Sequence, residues 1–439
     1  PTADPGRLTV VTGNALDGGI IPMNETFTLS GKAAQLSYTY KVYAESPIIN
    51  GLQTAATSVG SVGATGSGSE YVFVSWHTEG SPTGGAIAAY RNNGTDYSYV
   101  ARVDFDDTDW HDLAVEFVSA NEFTIYLAGQ REPDSSGYLL STHKGAVAGK
   151  ITFNTALPDK FDIANYEEIP LPSYGANGIL LDGTDVQVIT GNGTGSASNP
   201  GGIYQIDAVN FDFVADAYTN TNTFEDGEYI TRVTGSYTVF GAGSATSVDD
   251  VYAIEREGSS DVKLHDDNTG SFAPTSSGTA TSGTLDNERN AISSYVTTSD
   301  ADGEDKIGVL TALGTNGLWF YNLDVYEETQ DVGGGTPGTP VPSFSQVNAL
   351  GSAAIGVSHD ATNDLIYVAA GGGGMHVLAD GDYANGKALI NSFDLIGKFI
   401  PPTGAPFNSN FVVKDVNVYN TSEIAIASGN GGMFFVEQN

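Results

Sequence analysis

The chain has 439 residues, with 53 Asp plus Glu against 17 Lys plus Arg, a net charge of −36 and no cysteine. A surface this acidic repels nucleic acid and anionic lipid and favours cations. The missing cysteine rules out disulfides, thiolate zinc sites and cysteine nucleophiles.

No window approaches the roughly 20 apolar residues that a membrane helix needs, and no basic stretch leads into an apolar one, so any export signal is expected to be gone already. Abundant Gly and Tyr, with Ser, Thr, Asn and Asp, fit an exported β-protein. Taken in chain order, the first alternating stretches are R-L-T-V-V-T from Arg7 and T-F-T-L-S-G-K from Thr26. Residues 53–70 are rich in Ala, Ser, Gly and Thr and read as a decorating loop.

From Tyr71 onward one unit recurs, with copies starting at Tyr71, Thr124, Val186, Val251, Val309, Ile366 and Ile424 at spacings of 53 to 65 residues. The last two read I-Y-V-A-A-G-G-G-G-M-H-V-L and I-A-I-A-S-G-N-G-G-M-F-F-V. They place Gly371 against Gly429, Gly374 against Gly432 and Met375 against Met433. The copy at Val309 puts Gly317 and Leu318 in the Gly-Met positions. Each copy is a hairpin whose glycines supply the positive φ of a tight turn. Further alternating stretches, such as V-K-D-V-N-V from Val413, precede most copies, and a looser strand such as S-F-D-L-I-G from Ser392 follows some, which makes four strands per unit.

A strand-turn-strand array at constant period predicts an all-β, seven-bladed β-propeller of four-stranded antiparallel blades, occupying 1–439 as one domain. The last copy stops after its third strand. T-F-T-L-S-G-K resembles S-F-D-L-I-G-K from Ser392, so a strand near 24–32 is expected to complete the last blade, with the Arg7 stretch as competitor. A second decorating loop is expected near 332–342, with a flexible hinge between two half-domains as the alternative.

The Gly-Gly hairpins at 366–378 and 424–436, with 309–321 as a weaker third, resemble the LVIVD-repeat propellers of exported bacterial proteins, many from the Bacteroidota. The Asp that this family prefers after the third strand is present at Asp380 and Asp207 and replaced by Glu437 in the last unit. The resemblance implies a secreted or cell-surface propeller without an assigned enzymatic activity, and brings no catalytic residues with it.

Candidate chemistry is sparse. Asp300, Asp302 and Asp305 alternate around a glycine and could offer oxygens to Ca²⁺, although the glycine and glutamate positions of an EF-hand loop hold Asp305 and Thr311. Asp104 and Asp106 fall on one side of an extended strand, where a cation would relieve their repulsion. For both sets the alternative is a solvated turn or strand end. Trp76-His77 and Trp110-His111 could form sugar-stacking platforms; the competing reading packs each indole between blades. No H-E-x-x-H and no G-x-S-x-G occurs.

Two functions follow. The first is a non-enzymatic extracellular or cell-surface module binding a protein or glycan, lipid-anchored if a lipidated Cys precedes Pro1. The second is a Ca²⁺-dependent hydrolase or lyase acting on an extracellular polymer. The first expects a channel lined by small residues such as Val368, Ala369 and Ala427; the second expects converging acids and histidines.

Overall fold

The computed structural model describes residues 11–12, 19–20, 24–29, 36–43, 48–49, 52–53, 57–64, 71–78, 84–92, 97–105, 108–131, 145–191, 201–215, 226–238, 245–257, 261–266, 273–281, 291–297, 306–322, 343–348, 352–380, 393–401, 411–420, 423–429 and 432–438. Among these the fold is all-β. A 3-10 turn spans Ile163–Asn165, and among the described residues no helix is long and apolar enough to cross a membrane.

The strands form antiparallel meanders in which sequence neighbours pair. Thr57–Ala64, Tyr71–Thr78, Gly85–Asn92 and Tyr97–Phe105 make the first sheet. Thr108–Ser119, Glu122–Arg131, Ala146–Asn154 and Glu167–Pro170 make the next. A 175–215 meander and a 226–281 meander follow, joined by a single bridge between Gly191 and Asp226. Four-stranded sheets over 291–348 and 356–399 come after them. A five-stranded terminal sheet combines Asp415–Asn420, Glu423–Ala427 and Met433–Gln438 with Leu36–Tyr43 and Asn24–Leu29.

The second strand of each unit explains how the sheets hold together. Leu365–Ala369 is buried along its whole length, because both of its faces meet another sheet. Leu365, Tyr367 and Ala369 pack with Val416, Ile424 and Ile426 of the terminal sheet. Ile366 and Val368 pack with Leu310 and Phe320 of the preceding one. The period-2 alternation of a strand therefore feeds two cores at once. Burying each large apolar side chain contributes about 1.5–3 kcal/mol. In the same way Val72, Val74 and Trp76 share a core with Ala425, Ala427 and Phe435, which sets the terminal sheet against the first one. Asn92 adds a buried hydrogen bond to Glu423 across that boundary.

Each unit's first strand lies against the first strand of the next. Thr57–Ala64 touches Thr108–Ser119, and the series continues through Gly175–Asp182, Asp226–Thr238, Ala291–Thr297, Gly356–Asp360 and Asp415–Asn420. Asp415–Asn420 in turn lies against Thr57–Ala64.

Two segments differ from the sequence expectation. Leu36–Tyr43 pairs directly with Met433–Gln438, and Asn24–Leu29 lies one strand further out. L-S-Y-T-Y-K-V-Y alternates over eight residues and matches a strand as well as the 24–32 stretch does, but without the Gly-Lys ending that drew attention to the latter. Thr57–Ala64 is a strand rather than a loop and pairs with Tyr71–Thr78. Its small residues suit a position where neighbouring first strands crowd together. The Arg7 stretch contributes only a short pairing of Val11–Thr12 with Gly19–Ile20, and 332–342 lies outside the described residues.

The repeated glycines do adopt positive φ: 52° and 77° at Gly314 and Gly317, 55° and 85° at Gly371 and Gly374, 49° and 91° at Gly429 and Gly432. The turns also reach forward. Gly314 and Ala354 exchange two backbone hydrogen bonds of 2.7 Å, and Gly371 and Val413 exchange bonds of 3.2 and 3.0 Å. The turns at Gly314 and Gly371 are thereby bonded to the segments that enter the next units.

Candidate functional site

In a four-strand meander the first strand starts at the end where the second strand turns into the third. The glycine turns, the connections between units and the starts of the first strands therefore share one end of the molecule. Polar groups concentrate there.

Four first strands carry a β-bulge at the same place. The pairing registers shift between Val59 and Ser61, Trp110 and Asp112, Ala176 and Gly178, and Gly227 and Tyr229. The extra residues are Gly60, His111, Asn177 and Glu228. A bulge re-aims the side chain it adds, and here two of them reach the next unit. His111 Nδ1 donates to the Ala176 carbonyl at 3.0 Å, and Asn177 Nδ2 donates to the Gly227 carbonyl at 2.8 Å. Each thus bonds the residue just before the next bulge. Asp112 Oδ2 accepts from the Ile179 amide at 2.9 Å, and Ser358 Oγ accepts from the Val418 amide at 3.2 Å.

Tyr229 stands beside the fourth bulge and packs against two cores, those flanking the 291–348 sheet. Burial holds its hydroxyl well above the usual tyrosine range, and the negative charges of Asp112 and Asp415 reinforce this. Those carboxylates come from the 108–170 sheet and the terminal sheet. The phenol therefore stays neutral. Asp112 and Glu228 are themselves buried. Among the described residues no group of three or more His, Cys, Asp or Glu is placed to hold a metal ion.

His376 follows the glycine turn of its unit. Its aligned residues in the neighbouring units are Trp319 and Phe434. The ring is fully buried, and neither nitrogen makes a hydrogen bond of ordinary geometry, although the Gly373 backbone lies beside it. Burial, and then the positive charge of Lys398 on the adjacent strand, lower its pKa from 6.5 to about 4.

The residues singled out in the sequence fall elsewhere. Trp76 and Trp110 are 1% and 0% exposed. Trp76 packs with Tyr90 and Phe435, and Trp110 stands edge-on to Phe105 at 5.4 Å and fills the space left by Gly129 and Gly149. Neither indole offers a face to a sugar, so the stacking platforms are corrected to core residues. His111 is a bulge residue tied to Ala176, and the His77 side chain lies outside the described residues. Asp104 pairs with Arg102 at 2.9 Å, while Asp106, Asp300, Asp302 and Asp305 lie outside the described residues. Val368, Ala369 and Ala427, expected along a channel, pack between sheets instead.

Sequence reasoning missed the bulges. A signal was present: V-G-S-V, W-H-D-L, A-N-G-I and G-E-Y-I set each extra residue two positions before an aliphatic one.

No family model matches the chain, and no curated protein matches it. The LVIVD resemblance thus rests on its residue pattern alone. Solved structures similar to this chain include YCF48 bound to a D1 peptide, with a TM-score of 0.47 at 12% identity over 100% of both chains. YCF48 from Cyanidioschyzon merolae has a TM-score of 0.44 at 12% identity, over 88% of this chain and 96% of that one. Chaetomium thermophilum Raptor has a TM-score of 0.44 at 9% identity over 88% of this chain, which spans 29% of that protein. At such scores the strand order, and not the likeness, carries the description of the fold.

Proposed function

We propose that the chain is a seven-bladed β-propeller, closed by its N-terminal strands in the last blade, that serves outside the cell as a non-enzymatic docking module for a protein partner. One observation carries the reading: first strands touch in sequence from Thr57–Ala64 to Asp415–Asn420, and the last touches the first. A frame so connected is rigid and presents its connections as a fixed surface. The polar groups at the glycine-turn end support binding over chemistry, because Asp112, His111, Asn177 and Ser358 are engaged in holding neighbouring units together. The burial of both tryptophans takes away the residues that favoured a glycan.

The test offers the purified protein extracellular polysaccharides and, separately, an immobilised surface-protein fraction. Saturable retention by protein without cleavage of any polymer is expected. Polymer cleavage, or retention by polysaccharide alone, sinks the reading.

Calcium at Asp300, Asp302 and Asp305, or at Asp104 and Asp106, belongs to the same proposal and has its own measurement. Thermal melting with Ca²⁺ and again with EDTA should differ by several degrees if a site exists; coincident curves remove it.

A further inference from the structure

Large exposed apolar side chains are unevenly placed among the described residues. Val209 and Phe213 are 74% and 44% exposed and lie where the 108–170 sheet meets the 175–215 meander, away from the glycine turns. The two sides are bonded together. Tyr126 Oη lies 2.9 Å from Glu116 Oε2 and 3.2 Å from the Ala208 carbonyl oxygen. Lys150 Nζ donates to the Val209 carbonyl at 2.9 Å and sits 5.7 Å from the centre of the Phe211 ring. Tyr126, Ala208 and Phe211 are buried beneath, and Phe213 stands edge-on to Tyr204 at 6.4 Å.

The surroundings are acidic. Glu116, Glu167, Asp207 and Asp212 flank the patch. Lys150 is the lysine within it, and its ammonium is already shared between Val209 and Glu167. Asp212–Ala215 is the outermost strand of its meander. Apolar side chains beside an edge strand, ringed by carboxylates, suit an extended segment of opposite charge.

We propose that this patch binds an extended, basic segment of a protein partner, in which Lys or Arg alternates with aliphatic residues and which adds a strand to Asp212–Ala215. The proposal rests on the docking reading above and gives it a place and a chemistry. The aliphatic residues cover Val209 and Phe213, and the cations face Glu116, Asp207 and Asp212.

The probe is a labelled octapeptide of alternating Lys and Val, followed by fluorescence anisotropy. Alternating Lys-Ser and Glu-Val peptides serve as controls. The Lys-Val peptide should bind saturably and weaken with added salt. A V209S/F213S variant should weaken it by about tenfold or more, with an unchanged melting curve, since both side chains are exposed. N-methylation of alternate peptide amides should abolish binding. Equal binding of the Lys-Ser peptide, no loss in the variant, or no binding to the wild type overturns the proposal. If the surface-protein fraction still retains the protein in that case, docking stands and only this location falls.

Discussion

His376 occupies a seat that its neighbours fill with Trp319 and Phe434, and its protonation has a calculable sign. The folded pKa, about 4, lies below the ordinary 6.5. Between these values the unfolded chain binds a proton that the folded chain refuses. Stability is therefore fully present above pH 6.5, falls as the pH drops towards 4, and levels off below. The loss is on the order of a few kcal/mol. An H376F variant, which restores the repeat's aromatic, should show a flatter stability curve between pH 6.5 and 4 in urea titrations; parallel curves for variant and wild type would refute the assignment. Lys398 shares the site, so K398M should raise the imidazole pKa, measured by NMR titration. The in-register copies around Gly374 and Gly432 make this position visible in the sequence. They do not show that the ring is shut away from hydrogen-bond partners, because burial depends on the neighbouring sheet.

At the level of elements, the glycine turns are plain in the sequence, whereas the bulges are marked only by a surplus residue two positions before an aliphatic one. A turn needs particular residues at positive φ, and Gly371, Gly374, Gly429 and Gly432 supply them. A bulge needs only one surplus residue, and Gly60, His111, Asn177 and Glu228 share no chemistry. Their meaning lies in what they reach, and the targets at Ala176 and Gly227 are more than 45 residues away along the chain. The small-residue strand Thr57–Ala64 escaped for a related reason: Ser, Gly and Ala suit both a loop and a crowded strand. Asn177→Ala should cost about 1 kcal/mol, the net worth of one hydrogen bond. Deleting Asn177 should cost more, since Ala176 and Gly178 then become neighbours opposite Thr190 and Ile189, and the local bend is lost together with the bond to Gly227. Chemical denaturation of both variants would decide; equal losses would mean that the bulge is incidental.

At the scale of the molecule, the period of the repeats foretold the succession of meanders, but not which N-terminal strand joins the last. Two strands of similar alternation compete, and only pairing with Met433–Gln438 distinguishes them. Removing residues 1–43 should leave that edge without its strand. It should lower the melting temperature by several degrees and promote self-association through the exposed edge, visible by light scattering. Removing 1–32 alone, which spares Leu36–Tyr43, should have a smaller effect; the reverse order of severity would contradict the pairing described here.

The sheet shared by both ends also orders events in time. Leu36–Tyr43 leaves the ribosome hundreds of residues before Met433–Gln438, the strand it must join. It has to wait, paired only with Asn24–Leu29, while every intervening sheet is synthesised. Maturation therefore waits for Met433–Gln438 to be translated, and refolding after dilution from denaturant should be slow for the same reason, because the most distant pairing closes last.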